Sequence, residues 1–357
     1  MNGAANPIVV SVVSPCRNEI RHIRPFMESL LAQDYPAGHW ELIVADGMSD
    51  DGTREALREM ELRYAPRLLV IDNQGRIVST GLNAAVRQAR GLYVLRVDCH
   101  AEYEPDFIRC SIEVLEQTGA DNVGGPVRTK SRTYIQSAIA AAYHSPFSCG
   151  GAKSPMDDYE GYADTVQFGC WRTGRLKELG LFDESLVRNQ DDELNLRTIR
   201  AGGKIWQSPK IRFWYYPRPR LGALFRQYFQ YGFWKVAVIR KHKIPASWRH
   251  VIPGTFAAVN VFLLAAAAVA WVCQWPAAGM AVGAALAIMD GCYLAVLLLA
   301  SLTTARRSGW KLLPVLPVVF AIYHISYGIG FLAGLLYWFN RSKATVAAED
   351  AFTRLTR

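Results

Sequence analysis

The hydrophobic rhythm of the chain changes twice along its length. Over the first third, short apolar runs alternate with amphipathic stretches. Residues 8–14 form a β-branched run that stops at Pro15, as expected for a strand buried on both faces. Ile23, Phe26, Met27, Leu30 and Leu31 recur on one face of a helix predicted over 19–33. The pattern continues with a strand over 40–45, a turn over 46–53 and a helix over 53–64. A strand over 68–71, a helix over 79–90, a strand over 93–97 and a helix over 105–117 follow. Strands alternating with helices in this way predict an α/β fold built on a mostly parallel sheet with helices on both faces.

Ligands of such sheets sit beyond the carboxyl ends of the strands. The polar clusters fall at those ends, at 15–19, 46–51, 73–76 and 98–100. No G-x-G-x-x-G follows the first strand, which argues against a dinucleotide fold.

The middle third is less regular. Residues 121–130 predict a fifth strand. The Ala-, Gly- and Ser-rich stretch 131–162 predicts a partly mobile segment, and 166–172 returns to the sheet. Helices are expected over 176–180 and over 192–201, the second closed by Gly202 and Gly203. Residues 204–216 read as extended. The aromatic helix expected over 221–241 suits a membrane surface.

The last third is almost uniformly apolar. Residues 255–275, 277–302 and 312–339 are each long enough to cross a bilayer, and Asp290 is the single charge over 251–300. Asp290 is costly in lipid and is expected to pair with His324 or to line a wet groove. The loop 303–311, with Arg306, Arg307 and Lys311, is expected to face the cytoplasm. Three crossings then put the tail outside. That tail holds Arg341, Lys343, Arg354 and Arg357 against two acidic residues, which favours inside, so the charge rule conflicts with itself.

Composition sharpens this division. Lys and Arg number 40 against 31 Asp and Glu, a net +9, but the excess is local. From Leu194 to His250 there are thirteen Lys/Arg and no acidic residue. A basic run ending where apolar spans begin fits anionic lipid or a diphosphate ligand. No nucleic-acid module accompanies it, so nucleic acid is not expected as a partner. The seven cysteines form no C-x-x-C pair, which points to a reduced compartment. Cys16, Cys99 and Cys170 have no paired base and read as packing residues. Met1 is followed by neither a basic nor an early apolar region, so the first half is expected to stay in the cytoplasm.

Three clusters carry candidate chemistry. Asp46, in Val44-Ala45-Asp46-Gly47, ends a strand with a carboxylate expected to be exposed and able to accept a hydrogen bond from a base N–H. Asp98 and His100, in Arg96-Val97-Asp98-Cys99-His100, would share one side of an extended strand. Oxygen and imidazole donors together suit Mn²⁺, with Mg²⁺ as the alternative. Gln190-Asp191-Asp192-Glu193 opens a helix, and three adjacent carboxylates exceed what capping needs. Asp191 is placed to act as general base, with a pKa expected to be held low by the helix dipole. Arg76, Arg220, Arg226 and Lys235 are candidates for phosphate or lipid-headgroup contact.

Together and in this order, the clusters resemble the family 2 inverting glycosyltransferases of GT-A fold. The resemblance rests on Ser14-Pro15-Cys16-Arg17-Asn18-Glu19, on 44–53, on Gly81-Leu82-Asn83-Ala84-Ala85, on Phe168-Gly169-Cys170-Trp171-Arg172 and on Gln190-Asp191-Asp192-Glu193-Leu194. It covers roughly residues 8–240. Within the family the chain is most similar to the glucosyltransferases of succinoglycan biosynthesis, through 73–81, 96–103, 226–235 and 324–330.

The resemblance implies an inverting transfer of a hexose, glucose in that subgroup, from a UDP-type nucleotide-sugar donor to a lipid-linked or polysaccharide acceptor at the inner membrane, with exopolysaccharide assembly proteins as partners. It assigns nucleotide-sugar contact to Pro15, Glu19, Asp46, Arg76 and Asp98, metal and diphosphate to Asp98 and His100, and the base to Asp191. Acceptor or phosphate contact falls to Gly169, Trp171, Asp192, Glu193, Arg226 and Gln227.

The chain departs from the family pattern in three places. Asp98-Cys99-His100 replaces Asp-x-Asp, and Gln190 replaces the Glu before the base. Gln227-Tyr228-Phe229-Gln230-Tyr231 stands where processive synthases have Gln-x-x-Arg-Trp, which favours a single-addition enzyme over a processive synthase. A non-catalytic membrane scaffold is the rival from another class. The expected division is a catalytic domain over 1–220, an interfacial segment over 221–250, three spans over 251–340 and a polar tail over 341–357.

Overall fold

The structure is a computed structural model and describes residues 7–339. The tail expected over 341–357 lies outside the described residues. The chain forms two compact units, residues 7–129 with 153–216, and residues 130–152 with 217–339. Residues 130–152, expected within the catalytic domain over 1–220, belong to the second unit.

The first unit opens with β1 (Val10–Cys16), α1 (Ile23–Leu31), β2 (Trp40–Asp46), α2 (Thr53–Tyr64), β3 (Leu68–Asp72) and α3 (Val78–Gln88). It continues with β4 (Tyr93–Arg96), β5 (Ala101–Tyr103), α4 (Phe107–Thr118), β6 (Asn122–Gly125) and β7 (Arg128–Thr129). The chain passes through α5 (Tyr134–Tyr143) and α6 (Pro146–Cys149) of the second unit. It then returns with β8 (Gly161–Tyr162), β9 (Gln167–Arg172), α7 (Thr173–Glu178), α8 (Gln190–Arg200), β10 (Ile205–Gln207) and β11 (Phe213–Tyr215).

Eight strands form one sheet in the order β3-β2-β1-β4-β9-β6-β10-β8, and β5-β11-β7 form a second. β1, β2, β3 and β4 are mutually parallel, as the alternating pattern predicts. β9 runs antiparallel between β4 and β6, so the sheet is mixed. All seven residues of β2 are buried, which accounts for the apolar run over 42–45, while the buried Glu41 and Asp46 are held by Arg90 and Arg54. Val13, Ile43, Leu82, Val86, Val94 and Trp171 belong to one core cluster under this sheet. Each such side chain contributes on the order of 1.5–3 kcal/mol by leaving water.

Helix α1 begins at Ile23 and not at Glu19. Residues 17–20 are held instead by the loop after β2, and Asn18 takes a left-handed φ of 54°.

The second unit adds α9 (Leu221–His242), α10 (Ile252–Val272), α11 (Pro276–Ser308) and α12 (Leu316–Phe339) to α5 and α6. Three of its helices are long and apolar enough to cross a membrane. The segment expected to be partly mobile, 131–162, holds the helices α5 and α6, up to Cys149. Thr133 caps α5 by accepting from the Gln136 N–H, and Ala138, Ile139 and Ala142 share a core cluster with Phe320 and Tyr323. Its alanines are a small-residue packing face, which composition alone does not distinguish from a loop. His324 pairs with the Tyr293 hydroxyl at 3.1 Å and the Phe147 carbonyl at 2.9 Å, in place of the expected partner Asp290.

Candidate active site

The carboxyl ends of β1 and β2 lie side by side, with Cys16 opposite Asp46. The loops that leave them are stitched together. Arg17 donates to the Gly47 carbonyl at 3.1 Å. Asn18 and Asp50 exchange two hydrogen bonds of 2.9 and 3.0 Å, and the Glu19 N–H donates to Thr53 Oγ1 at 2.8 Å. Pro15 lies on β1 opposite Ala45.

Asp46 is not exposed, contrary to expectation. The loop folds back over it, so that its carboxylate accepts from the Ser49 hydroxyl at 2.5 Å, from the Ser49 N–H and from Arg54 at 3.0 Å. Arg54 also grips Asp72. A fully buried carboxylate needs such partners, because an unpaired one would be expelled or neutralised. Arg76 is exposed on the loop between β3 and α3.

The third parallel edge is β4. It ends at Arg96, and residues 99–100 form a turn, so the alternation expected to place Asp98 and His100 on one side does not apply. Arg96 pairs instead with Asp98, two residues on. The turn is held by the Asp98 N–H donating to the Tyr103 hydroxyl at 2.7 Å. Cys99 Sγ lies 3.4 Å from Ser14 Oγ, which sets the turn beside β1. His100 Nδ1 is 3.9 Å from a Glu19 carboxylate oxygen, and the ring meets Tyr215 edge-on.

Arg96 organises the site. One guanidinium nitrogen faces both oxygens of Asp98, at 3.1 and 3.3 Å, and the other grips Asp191 Oδ1. Its side chain is 6% exposed, those of Asp98 and Asp191 16% and 25%, so the carboxylates form the open side of the cluster. Desolvation pulls the Arg96 pKa down, but Asp191 and Asp98 more than reverse it, and the guanidinium stays charged. The Arg96 guanidinium lies 5.9 Å from the Phe168 ring, within an aromatic cluster that includes Tyr103 and Phe213.

Asp191 sits in the first turn of α8, after Asn189 in a left-handed conformation. Its pKa is raised, not lowered as the dipole argument expected. Desolvation pushes it up, and Arg96 offsets this only in part.

Three assigned contacts take structural places instead. Glu193 is fully buried and bonds Arg197 at 2.6 Å, while that arginine also holds the Leu179 and Leu181 carbonyls. Trp171 is buried in the core against Phe182. Gly169 lies where a Cβ would strike Asn122 and the Trp171 ring. On β9 the side chain that reaches Arg96 is Phe168, the residue of the opposite alternation. Asp192 lies 3.2 Å from Thr165 Oγ1. Arg226 and Gln227 lie on α9 in the other unit, where Gln227 donates to the Tyr231 hydroxyl at 3.0 Å.

Among the described residues no three His, Cys, Asp or Glu side chains gather as a self-sufficient metal site. Asp98 and His100 are two residues apart and are oxygen and imidazole donors, the types that suit a divalent cation such as Mn²⁺.

The α/β sheet of this order, with polar clusters at the carboxyl ends of its parallel strands, is a GT-A-like fold. The glycosyl transferase family 2 profile matches residues 11–166, and the chain belongs to that family. It is 32% identical to succinoglycan biosynthesis protein ExoA of Rhizobium meliloti (strain 1021), over 91% of this chain and 94% of that one. It is 26% identical to a dolichyl N-acetyl-alpha-D-glucosaminyl phosphate 3-beta-D-2,3-diacetamido-2,3-dideoxy-beta-D-glucuronosyltransferase of Methanococcus voltae, over 92% and 97%. Among solved structures, the mannosyltransferase PcManGT of Pyrobaculum calidifontis, in complex with GDP-Man and Mn²⁺, shares the fold with a TM-score of 0.59. The two are 19% identical and the match covers 95% of this chain and 91% of that one. The protein is thus a family 2 glycosyltransferase of polysaccharide or glycan biosynthesis.

Proposed function

We propose that the protein transfers a hexose, with inversion at the anomeric carbon, from a nucleotide-diphosphate sugar to a lipid-linked saccharide at the cytoplasmic face of a membrane. The observation that carries the reading is the Arg96 clamp, which brings Asp98 from the end of β4 and Asp191 from the start of α8 to one guanidinium. Names of relatives that act in succinoglycan synthesis and on a dolichyl phosphate-linked sugar support the acceptor class.

In this reading Asp191 takes the proton of the acceptor hydroxyl. Arg96 holds Oδ1, which leaves Oδ2 to receive it. A raised pKa makes Asp191 a stronger base than an ordinary aspartate. Asp98 and His100 would hold a divalent cation, Mn²⁺ or Mg²⁺, which when bound supplies charge neutralisation for the diphosphate. Asp46 acts at one remove, fixing the 47–54 loop and Arg54 against which the nucleobase would lie. Glu19 positions His100.

The test is a panel of nucleotide sugars offered to detergent-solubilised full-length protein with a polyprenyl diphosphate-linked acceptor, with and without chelator. The expected result is a single sugar addition, lost on chelation and restored by Mn²⁺ or Mg²⁺, with the product anomer inverted by NMR. Retention of configuration, or long polymer from one donor, would overturn the reading.

A further inference from the structure

Three helices of the second unit qualify as spans by length and composition, yet their surroundings differ. Only 6% of the most apolar window of α10, and 6% of that of α11, is buried, against 44% for α12. Apolar side chains are exposed all around α10, whereas the C-terminal part of α11 buries one face through Leu297, Ala300, Ser301, Thr304 and Ala305. Those exposed on α12 fall on one stripe, Val318, Ile325, Ile329 and Leu336, spaced seven, four and seven residues apart. A span packed in a bundle and a helix lying in an interface both bury one face, so the depth of the contacts is what separates them.

The contacts fix the depth of α12. Helices α10 and α11 form an antiparallel hairpin that turns near Gln274, and Phe256 on one faces Tyr293 on the other with ring centroids 4.9 Å apart. Both lie about 28 Å from the turn at 1.5 Å per residue. Along α12, His324 touches Tyr293, Tyr327 donates to the His250 carbonyl, Gly328 abuts Pro253 and Phe331 abuts Gly254. From His324 to Phe331 the helix advances about 10 Å along its own axis. A third span would move its partners toward the turn by the same distance. The partners, which include Ala257 against Gly328, instead lie about 26–36 Å from the turn with no drift toward it. That is the depth at which a hydrocarbon core of about 30 Å ends.

The C-terminal half of α12 packs on α9. A Cβ at Gly232 would collide with the Tyr327 carbonyl and one at Gly330 with the Phe229 carbonyl. Tyr228 meets Tyr323, Trp234 meets Trp338, and Arg240 reaches the Trp338 carbonyl. The two helices therefore run side by side in the same direction and share a depth. Helix α9 carries Arg226, Lys235, Arg240 and Lys241, each costing about 2.5–3.5 kcal/mol at a bilayer centre.

We infer that the chain crosses the bilayer twice, through α10 and α11. Helices α9 and α12 form a layer at the boundary on the side of His250, with the 318/325/329/336 stripe seated in the acyl chains of that leaflet. Residues 240–250, the loop 303–311 and the end of α12 at Phe339 then face the same side. This removes the conflict that three crossings create for the charge rule.

Cys273 is exposed at the hairpin turn and serves as an internal reporter. With the full-length protein in sealed right-side-out vesicles, a membrane-impermeant maleimide should label Cys273. Phe339→Cys in a Cys273→Ser, Cys292→Ser background should label only in inverted vesicles. Labelling of Phe339→Cys from outside would overturn the topology. A phosphatase fused after Arg357 of the unsubstituted chain gives the same answer without touching the helices, and external activity would overturn it too. A nitroxide on Ile329→Cys should show oxygen access typical of shallow acyl chains. Spin–spin broadening between copies would mean that a second chain covers the stripe, and would overturn the lipid assignment.

Discussion

Asp46 and Asp191 look alike in sequence, each beginning an acidic cluster beside an element end, but they have opposite surroundings. Asp46 is closed in by its own loop, with its oxygens engaged by Ser49 and Arg54. Asp191 reaches Arg96 from a segment far along the chain and keeps part of its surface open. The lesson is that a functional carboxylate is marked less by its local motif than by surface left open beside its counter-charge. Asp98 follows the Asp191 pattern and Asp46 does not.

Three experiments can break or sharpen this contrast. The largest effect is expected from Asp191→Asn, a loss of about 10²–10⁴ in kcat with donor affinity retained, read by single-turnover kinetics and donor titration. Normal turnover would remove Asp191 from the chemistry. Next, Asp46→Asn and Asp98→Asn should separate. The first should lower stability by about 2 kcal/mol through weakened charge-assisted bonds, seen as a drop in Tm. The second should change the metal dependence of the rate with little change in Tm. Equal behaviour of the two variants would erase the distinction. The smallest effect is in pH. Because desolvation raises the Asp191 pKa, the ionised base is lost as pH falls through a value above the usual carboxylate range. The acid limb of kcat should therefore lie higher in pH than for an ordinary aspartate. A limb at or below that range would contradict the assigned environment.

The strand–helix alternation of the first unit was legible because its period is local, and β2, α2 and β3 stand where apolar spacing puts them. The residues that build the site were less so. Arg96 ends an apolar strand two residues before Asp98, and a charge in that position was the available signal. Its second partner lies near residue 190 and no local pattern reports it. Phe168 and Trp171 are three apart on one strand, so they face opposite sides, and only the sheet order tells which side is core. The antiparallel insertion of β9 between β4 and β6 depends on pairing between distant segments. Helix α5 was hidden because alanine serves equally for loops and for close helix packing.

The central claim is that Arg96 makes Asp98 and Asp191 one site. A double-mutant cycle on kcat/KM with Arg96→Met and Asp191→Asn tests it, with circular dichroism to confirm folding. Strong non-additivity is expected, the double variant being hardly slower than Asp191→Asn alone. Losses that simply multiply would show that the two residues act independently and would contradict the account.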